Sequence, residues 1–356
     1  MNQLNVAVIG TGWCGGIRAI ACAQHPICGD LHIAETNPER LAEMVAETNP
    51  ATATDDWESL IARPDIDVAM ISATPETLHY PMAKAALEAG KHLLLEKPIA
   101  LRLEEADELI EIAESNNLKF TIGYSQRFNA KQAFAKRSVS NGDLGEVSSI
   151  LVSRHIGRNL GAKIGNRIKL SPAAMEATHD IDFAMWCLEP RQPVRVYSQN
   201  SFGVRREMGL PDSQITVITM DDGVVVTINA GMSLPNHYKN ASTTWIEVIG
   251  TDGTVFADDS HRDIVVNTTE RGIEFPLSTM PGEAVDQMYA GPMERETIAF
   301  LEAVLYDQPP MVDARLARMT MEVYMAADLS ADVNEPIELP LSADQMGLAL
   351  AASVKS

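Results

Sequence analysis

The sequence predicts an α/β chain in two parts: an N-terminal doubly wound parallel sheet, then a C-terminal α+β domain built on an open, mainly antiparallel sheet. Three observations carry that expectation. The first third alternates short apolar runs with helical stretches in a regular beat, and after Gly123 that beat gives way to successive hairpins. The chain, at 356 residues, also exceeds the roughly 150 residues of an average domain. Strands interleaved with helices form a parallel sheet covered on both faces, whereas consecutive hairpins form an antiparallel one.

Residues 4–9 are an apolar run ending in glycines, and 14–24 read as the helix that follows. Residues 31–34 are a short strand, and Asn37-Pro38 opens a helix to Glu47 with proline in its first turn, where no N–H is needed. Residues 51–54 are a weak strand, and 56–62 a short helix capped by Asp55 or Asp56. Then come an apolar strand at 68–72, a helix at 76–88 stopped by Gly90, a strand at 92–95, a helix at 103–115 and a last strand at 119–122. A boundary near Gly123 gives domains 1–123 and 124–356. Beyond it, 147–155 and 194–202 are β-rich. Asp221-Asp222-Gly223, Thr251-Asp252-Gly253 and Glu270-Arg271-Gly272 are turn signals between strands at 215–220 and 224–230, 245–249 and 254–257, and 264–267 and 273–276. Helices are expected at 173–188, 294–305 and 314–329, and the Met-rich stretch 311–325 reads as core or interface packing.

Lys and Arg number 28 against 49 Asp and Glu, a net charge of −21. Such a surface repels phosphate backbones and anionic bilayers, so neither nucleic acid nor membrane is an expected partner. No run approaches the roughly 20 apolar residues of a membrane span, and no basic, then apolar leader opens the chain. Cys14, Cys22, Cys28 and Cys187 show no paired spacing and read as reduced structural thiols. The expectation is a cytoplasmic chain without a metal.

Gly10-Thr11-Gly12-Trp13-Cys14-Gly15 follows a strand and precedes a helix. Gly10 permits the tight turn, Gly12 lets backbone approach a pyrophosphate, and Gly15 lets the helix pack on the strand. The helix then offers free N–H groups to the phosphates. Glu35 closes the second strand about 20 residues on, the place of a ribose diol acceptor. These features predict a dinucleotide-binding Rossmann domain, with Thr11, Trp13, Cys14 and Asn37 bordering the cofactor. A carboxylate repels a 2′-phosphate, so NAD is favoured over NADP. Arg40, one turn into the next helix, is within reach of the adenosine.

His92-Leu93-Leu94-Leu95-Glu96-Lys97-Pro98 ends a strand where open α/β sheets bind ligands. Side chains alternate along a strand, so Glu96 and Lys97 face opposite ways. Pro98 sets the exit of the chain and, if cis, holds Lys97 in one pose. A lysine there also commonly snorkels into water.

With these stretches the sequence resembles the glucose–fructose oxidoreductase/inositol dehydrogenase (Gfo/Idh/MocA) family. The resemblance runs from Val6-Ala7-Val8-Ile9-Gly10 through Ala34-Glu35-Thr36-Asn37-Pro38-Glu39-Arg40 and Ala73-Thr74-Pro75-Glu76-Thr77-Leu78-His79. It continues through Glu96-Lys97-Pro98, Gly123-Tyr124-Ser125-Gln126-Arg127-Phe128 and Thr178-His179-Asp180-Ile181-Asp182. It implies NAD(P)-dependent oxidation or reduction of sugars and cyclic polyols, with the open sheet mediating a homodimer or homotetramer. It places Thr74, Pro75, His79 and Glu96 with the cofactor, Lys97 on the reacting oxygen, and Tyr124, Arg127 and Asp182 toward the substrate.

Glu176, His179 and Asp182 stand three apart, on one face of a regular helix. Histidine suits proton exchange with an alcohol near neutrality, although a lone histidine is often just a core residue. The family's usual Asp, four residues before this His, is Met175 here, which leaves Glu176 to orient His179. From Val147 to Met175 there is no acid, yet Arg154, His155, Arg158, Lys163, Arg167 and Lys169 occur with three glycines. This stretch reads as a mobile loop in which Arg154 and Arg158 are candidates for binding a substrate carboxylate, phosphate or hydroxyl. A subunit contact or a solvated loop explains it as well. Arg205-Arg206 reads as a solvated loop. The resulting expectation is an NAD-dependent dehydrogenase of a ring hydroxyl, with catalytic Lys97, His179 and Glu176. The alternatives are a non-catalytic NAD-sensing regulator, or an enzyme that oxidises transiently before elimination or hydrolysis.

Overall fold

The computed structural model describes residues 3–353 except 168, 237–241, 259–263, 265, 275–281, 283 and 286–287, with backbone alone over 164–167 and 350–353. In chain order its first elements are β1 (Leu4–Ile9), α1 (Trp13–Gln24), β2 (Cys28–Ala34), α2 (Pro38–Thr48), β3 (Thr52–Thr54), α3 (Trp57–Ile61), β4 (Val68–Ile71), α4 (His79–Glu88), β5 (His92–Leu95), α5 (Leu103–Ser115) and β6 (Phe120–Ile122). There follow α6 (Ala130–Ser140), β7 (Val147–Gly157), α7 (Arg158–Arg167), α8 (Thr178–Leu188), β8 (Pro193–Ser201), β9 (Ser213–Met220), β10 (Val225–Leu234), β11 (Ser242–Gly250) and β12 (Thr254–Asp258). The short strands β13 (Val266–Thr268), β14 (Gly272–Glu274), β15 (Ala284–Val285) and β16 (Met288–Tyr289) precede α9 (Met293–Leu305), α10 (Ala314–Val333), β17 (Ile337–Glu338) and α11 (Ala343–Ser353).

The backbone divides into two compact units, Met1–Phe128 with Met280–Arg318, and Asn129–Thr279 with Met319–Ser356. The first compact unit thus extends beyond the expected boundary near Gly123 and also takes in Met280–Arg318. The reason lies in α9, whose Ile298, Phe300 and Leu301 complete a core with Val6, Val8, Ile33, Met70 and Leu94. A parallel sheet needs both faces covered, and α9 supplies cover that the first 123 residues lack.

In the first unit the strand order is β3-β2-β1-β4-β5-β6, all parallel. The order reverses between β1 and β4, which puts the turns after β1, β4 and β5 at the edge where such sheets bind ligands. Asn37 caps α2 by accepting from the Glu39 and Arg40 N–H groups.

The second unit carries a seven-stranded sheet in the order β12-β11-β7-β10-β9-β8-β17. Its pairs are antiparallel except β7 with β10, which run parallel. Val152, Ile218, Val226, Ile228 and Ile246 are buried on the helix-covered face, while Leu151, Ile215, Trp245 and Phe256 are exposed on the other. Two expectations change here. The supposed mobile loop after β7 is the helix α7, packed on β10 so closely that a Cβ at Gly161 would lie 2.6 Å from the Met232 carbonyl oxygen. Tertiary packing has overridden the poor helix propensity of Gly161 and Gly165. The expected helix over 173–188 is a π-helical turn, Ala173–Ala177, joined to α8. Among the described residues no helix is long and apolar enough to cross a membrane.

Candidate active site

The turn after β1 is shaped for close approach. Gly10 has φ +77°, and a Cβ on it would lie 2.7 Å from Ala73 Cα; a Cβ on Gly15 would collide with the Gly10 carbonyl oxygen. At Gly12 a Cβ would meet nothing within 4 Å, so the backbone there is open on its outer side. Helix α1 starts with no side-chain cap and no acid in its first turn, which leaves its N–H groups to an anion. Trp13, 54% exposed, stands beside this turn.

The Glu35 carboxylate accepts from Thr11 N (2.7 Å), Thr11 Oγ1 (3.0 Å) and Asn37 N (2.9 Å). Arg40 Nε donates to the Thr11 carbonyl oxygen at 2.7 Å. Thr11 is thus clamped from both sides, and a carboxylate with roughly four acceptor positions still has one for a ribose hydroxyl. Asn37 serves as helix cap and loop donor, and its side chain is engaged in the cap. The Cys14 thiol is pushed up to about 12, by burial first and by Glu96 next; it stays protonated, and its contribution to the turn is its backbone. These groups fit a dinucleotide: an open glycine peptide and an uncapped helix end for the phosphates, and a fixed carboxylate for the ribose.

Beneath the turn, Arg18 is fully buried between two acids. It donates through Nη1 to Glu96 (2.5 Å) and Ser72 Oγ (3.1 Å), and through Nη2 to Glu296 (2.7 Å). A Cβ at Gly123 would lie 2.9 Å from Glu96 Oε1 and 3.0 Å from Arg18 Nη2, so glycine makes room for the pair. The Glu96 carboxylate thus turns inward to Arg18 as a buried ion-pair partner.

Lys97 is half-buried at the end of β5, its N–H donating to Glu96 Oε2 (3.2 Å), and the Lys97–Pro98 and Thr74–Pro75 bonds are cis. His79, 1% exposed, sets Nδ1 2.7 Å from the Pro98 carbonyl oxygen and Nε2 3.1 Å from that of Ala73. It ties the turn bearing Lys97 to the turn bearing Thr74 and Pro75. Both ring nitrogens of His79 thus face backbone, whereas Thr74 and Pro75 are exposed. Tyr124 and Arg127 are each 2% exposed, and Arg127 Nη1 donates to the Met311 carbonyl oxygen (2.9 Å). Arg127 thus has a backbone partner within the first unit.

In the second unit His179 lies in the first turn of α8, directly after the π turn that carries Glu176. Both are half-buried and Asp182 is 1% exposed, so the three are not equally presented as a uniform helix would have them. Such widened turns are frequent at functional sites. Arg154, on β7, pairs in two-pronged fashion with Asp180 at 2.8–2.9 Å, both inside the unit. Burial pushes the Asp180 carboxyl up, Arg154 opposes this, and Glu176 adds to it. The Nε–Nη2 edge of the Arg154 guanidinium is thus engaged with Asp180. Arg158 donates through Nη2 to the Ser233 carbonyl oxygen at 3.4 Å. Sequence reasoning missed two arginines. Arg18 carried a signal, a charge amid the buried Ala19, Ala21 and Cys22 of α1. Arg205, expected in water, is 3% exposed and carried none.

A strand–glycine turn–helix closed by an acid, with a fixed lysine two strands along the same edge, defines a dinucleotide-dependent oxidoreductase joined to an α/β domain. The chain belongs to the Gfo/Idh/MocA oxidoreductase family: the family's NAD-binding Rossmann fold matches residues 4–124 and its C-terminal α/β domain matches residues 136–339. It is 27% identical over 327 residues to a levoglucosan dehydrogenase of Pseudarthrobacter phenanthrenivorans, covering 82% of this chain and 81% of that protein. It is 25% identical over 366 residues to the scyllo-inositol 2-dehydrogenase (NAD(+)) of Bacillus subtilis, covering 98% and 99%. Its fold is similar to that of scyllo-inositol dehydrogenase from Lactobacillus casei, solved with NAD(H) and scyllo-inositol, with TM-score 0.82, 21% identity and coverage of 95% and 99%.

Proposed function

We propose that this protein oxidises a ring hydroxyl of a sugar or cyclic polyol, or reduces the matching ketone, with NAD as partner. The observation that carries the reading is Lys97, held at the carboxyl end of β5 by its Glu96 contact on one side and the His79 tie on the other. Bound NAD supplies the hydride acceptor. Gly10, Gly12 and Gly15 with the α1 N–H groups hold its phosphates, Glu35 its ribose, and Thr74 and Pro75 its nicotinamide side. The Lys97 ammonium donates to the substrate oxygen and stabilises negative charge that develops there. His179 takes the hydroxyl proton, a contribution of about 10²–10⁴-fold for a positioned base, and Glu176 orients it. Lys97 belongs to the first unit and His179 to the second. The named substrates of the relatives, levoglucosan and scyllo-inositol, support a cyclic polyol.

The test is NADH formation across neutral sugars, anhydrosugars, inositols and uronates, each run with NAD and with NADP. The expected result is turnover on at least one ring alcohol with a clear preference for NAD, because Glu35 faces the site of a 2′-phosphate. Absence of turnover across the panel while NAD binds would overturn the dehydrogenase reading, and preference for NADP would overturn the role of Glu35.

We further infer a homodimer or homotetramer. Leu151, Ile215, Trp245 and Phe256 share the uncovered face of the seven-stranded sheet, and the Trp245 and Phe256 rings lie 6.1 Å apart. Large apolar side chains exposed on one sheet face mark a surface for association. Sedimentation of a monomer at micromolar concentration would count against it.

A further inference from the structure

Arg205 lies in the loop between β8 and β9. The Asp212 carboxylate gathers that loop by accepting the N–H groups of Gly203 (3.0 Å), Val204 (2.8 Å) and Arg205 (2.8 Å). The Arg205 side chain is thereby buried, while Phe202, Val204 and Arg206 remain exposed. Nη1 donates to the Pro211 carbonyl oxygen (3.0 Å) and lies 3.0 Å from Met232 Sδ. Nε and Nη2, the edge that grips an anion with two parallel hydrogen bonds, meet no acceptor among the described residues. Asp212 opposes the downward pull of burial on this guanidinium, but its oxygens are engaged by the three loop N–H groups and the Ser233 side chain.

Arg158 reaches the neighbouring residue, its Nη2 donating to the Ser233 carbonyl oxygen, and its Nε is also without an acceptor among the described residues. Two guanidinium groups therefore adjoin the Met232–Ser233 dipeptide of β10. The π turn leading into His179 packs on the same strand. A buried guanidinium whose donors are unmet is unfavourable, and a planar fork of donors is matched by an anionic oxygen pair.

We propose that Arg205, with Arg158 alongside, holds a carboxylate or phosphate group carried by the substrate. The sugar part of this assignment rests on the dehydrogenase reading; the anion part does not. The test is calorimetric titration of the full chain, loaded with NAD, using inorganic phosphate and glucuronate as probes. Wild type is expected to bind both, and Arg205→Met to weaken each by about 10–100-fold, the range for hydrogen bonds to a charged group. In anion-free buffer the same variant is expected to melt no lower than wild type, because a buried guanidinium with unmet donors has been removed; an arginine with a purely structural role would lower the melting temperature. Should Arg205→Met not fold, Arg205→Lys decides, since it keeps the charge without the fork: weaker binding supports the proposal and unchanged binding overturns it. Wild type that binds neither probe, or Arg205→Met that binds both as wild type does, overturns the proposal outright. Binding of phosphate but not glucuronate overturns the carboxylate half of the proposal and supports the phosphate half. If both probes bind through Arg205 and no sugar is turned over, the dehydrogenase reading fails and the anion site stands.

Discussion

Alanine at position 97 is expected to remove turnover while NAD still binds. The phosphates and ribose are assigned to the β1–α1 turn and Glu35, none of which depends on the Lys97 side chain. What Lys97→Ala removes is the ammonium proposed to face the developing alkoxide. Loss of one preorganised donor at such a position typically lowers kcat by about 10²–10³-fold, and loss of a full charge is expected to reach at least the upper part of that range. Two measurements on one sample decide it: the rate of NADH formation, and NAD affinity from the fluorescence of Trp13, which is exposed beside the turn. Turnover within about tenfold of wild type would remove Lys97 from the mechanism, judged against the usual size of a lost donor. Loss of NAD binding in step with turnover would assign it to the cofactor instead.

The second large effect concerns stability. Arg18→Leu leaves Glu96 and Glu296 buried without the cation that each contacts within 2.7 Å. Breaking a buried ion pair from one side typically costs about 3–5 kcal/mol, a large part of a stability of about 5–15 kcal/mol. The variant is expected to unfold at markedly lower denaturant concentration than wild type. Adding Glu96→Gln and Glu296→Gln to Arg18→Leu is expected to restore much of the loss, because the penalty lies in uncompensated charge more than in shape. Wild-type stability of the single variant would show that water reaches this cluster and screens it. Equal instability of single and triple variants would assign the effect to packing.

The elements most legible in the chain were those written locally. Helix α5 and strand β5 match the expected 103–115 and 92–95 to the residue, because an apolar period and its stop signals lie within a turn or two of each other. The glycine turn was legible for the same reason: Gly10 and Gly15 meet within a few residues. Much less legible were the partners of charged side chains. Arg127 and Arg154 read as substrate-binding candidates, and the structure gives each a buried partner within its own unit that no local pattern announces. Helix α7 was read as a loop because its glycines disfavour helix in isolation, and only contact with β10 reverses that preference.

By itself the sequence determined the beat of strand and helix, the dinucleotide turn with its acid, and the lysine at the end of β5, all from periods and spacings that any short window contains. Tertiary structure decided which charges are withdrawn from water. Arg18 finds Glu296 at a separation of 278 residues, a pairing no local pattern encodes. Arg205 and Arg206 are neighbours of identical chemistry, and only the fold of their loop onto Asp212 buries the first and leaves the second exposed. The physical reason is range: hydrophobic periodicity acts over a few residues, whereas the desolvation of a charge depends on everything the finished fold packs around it.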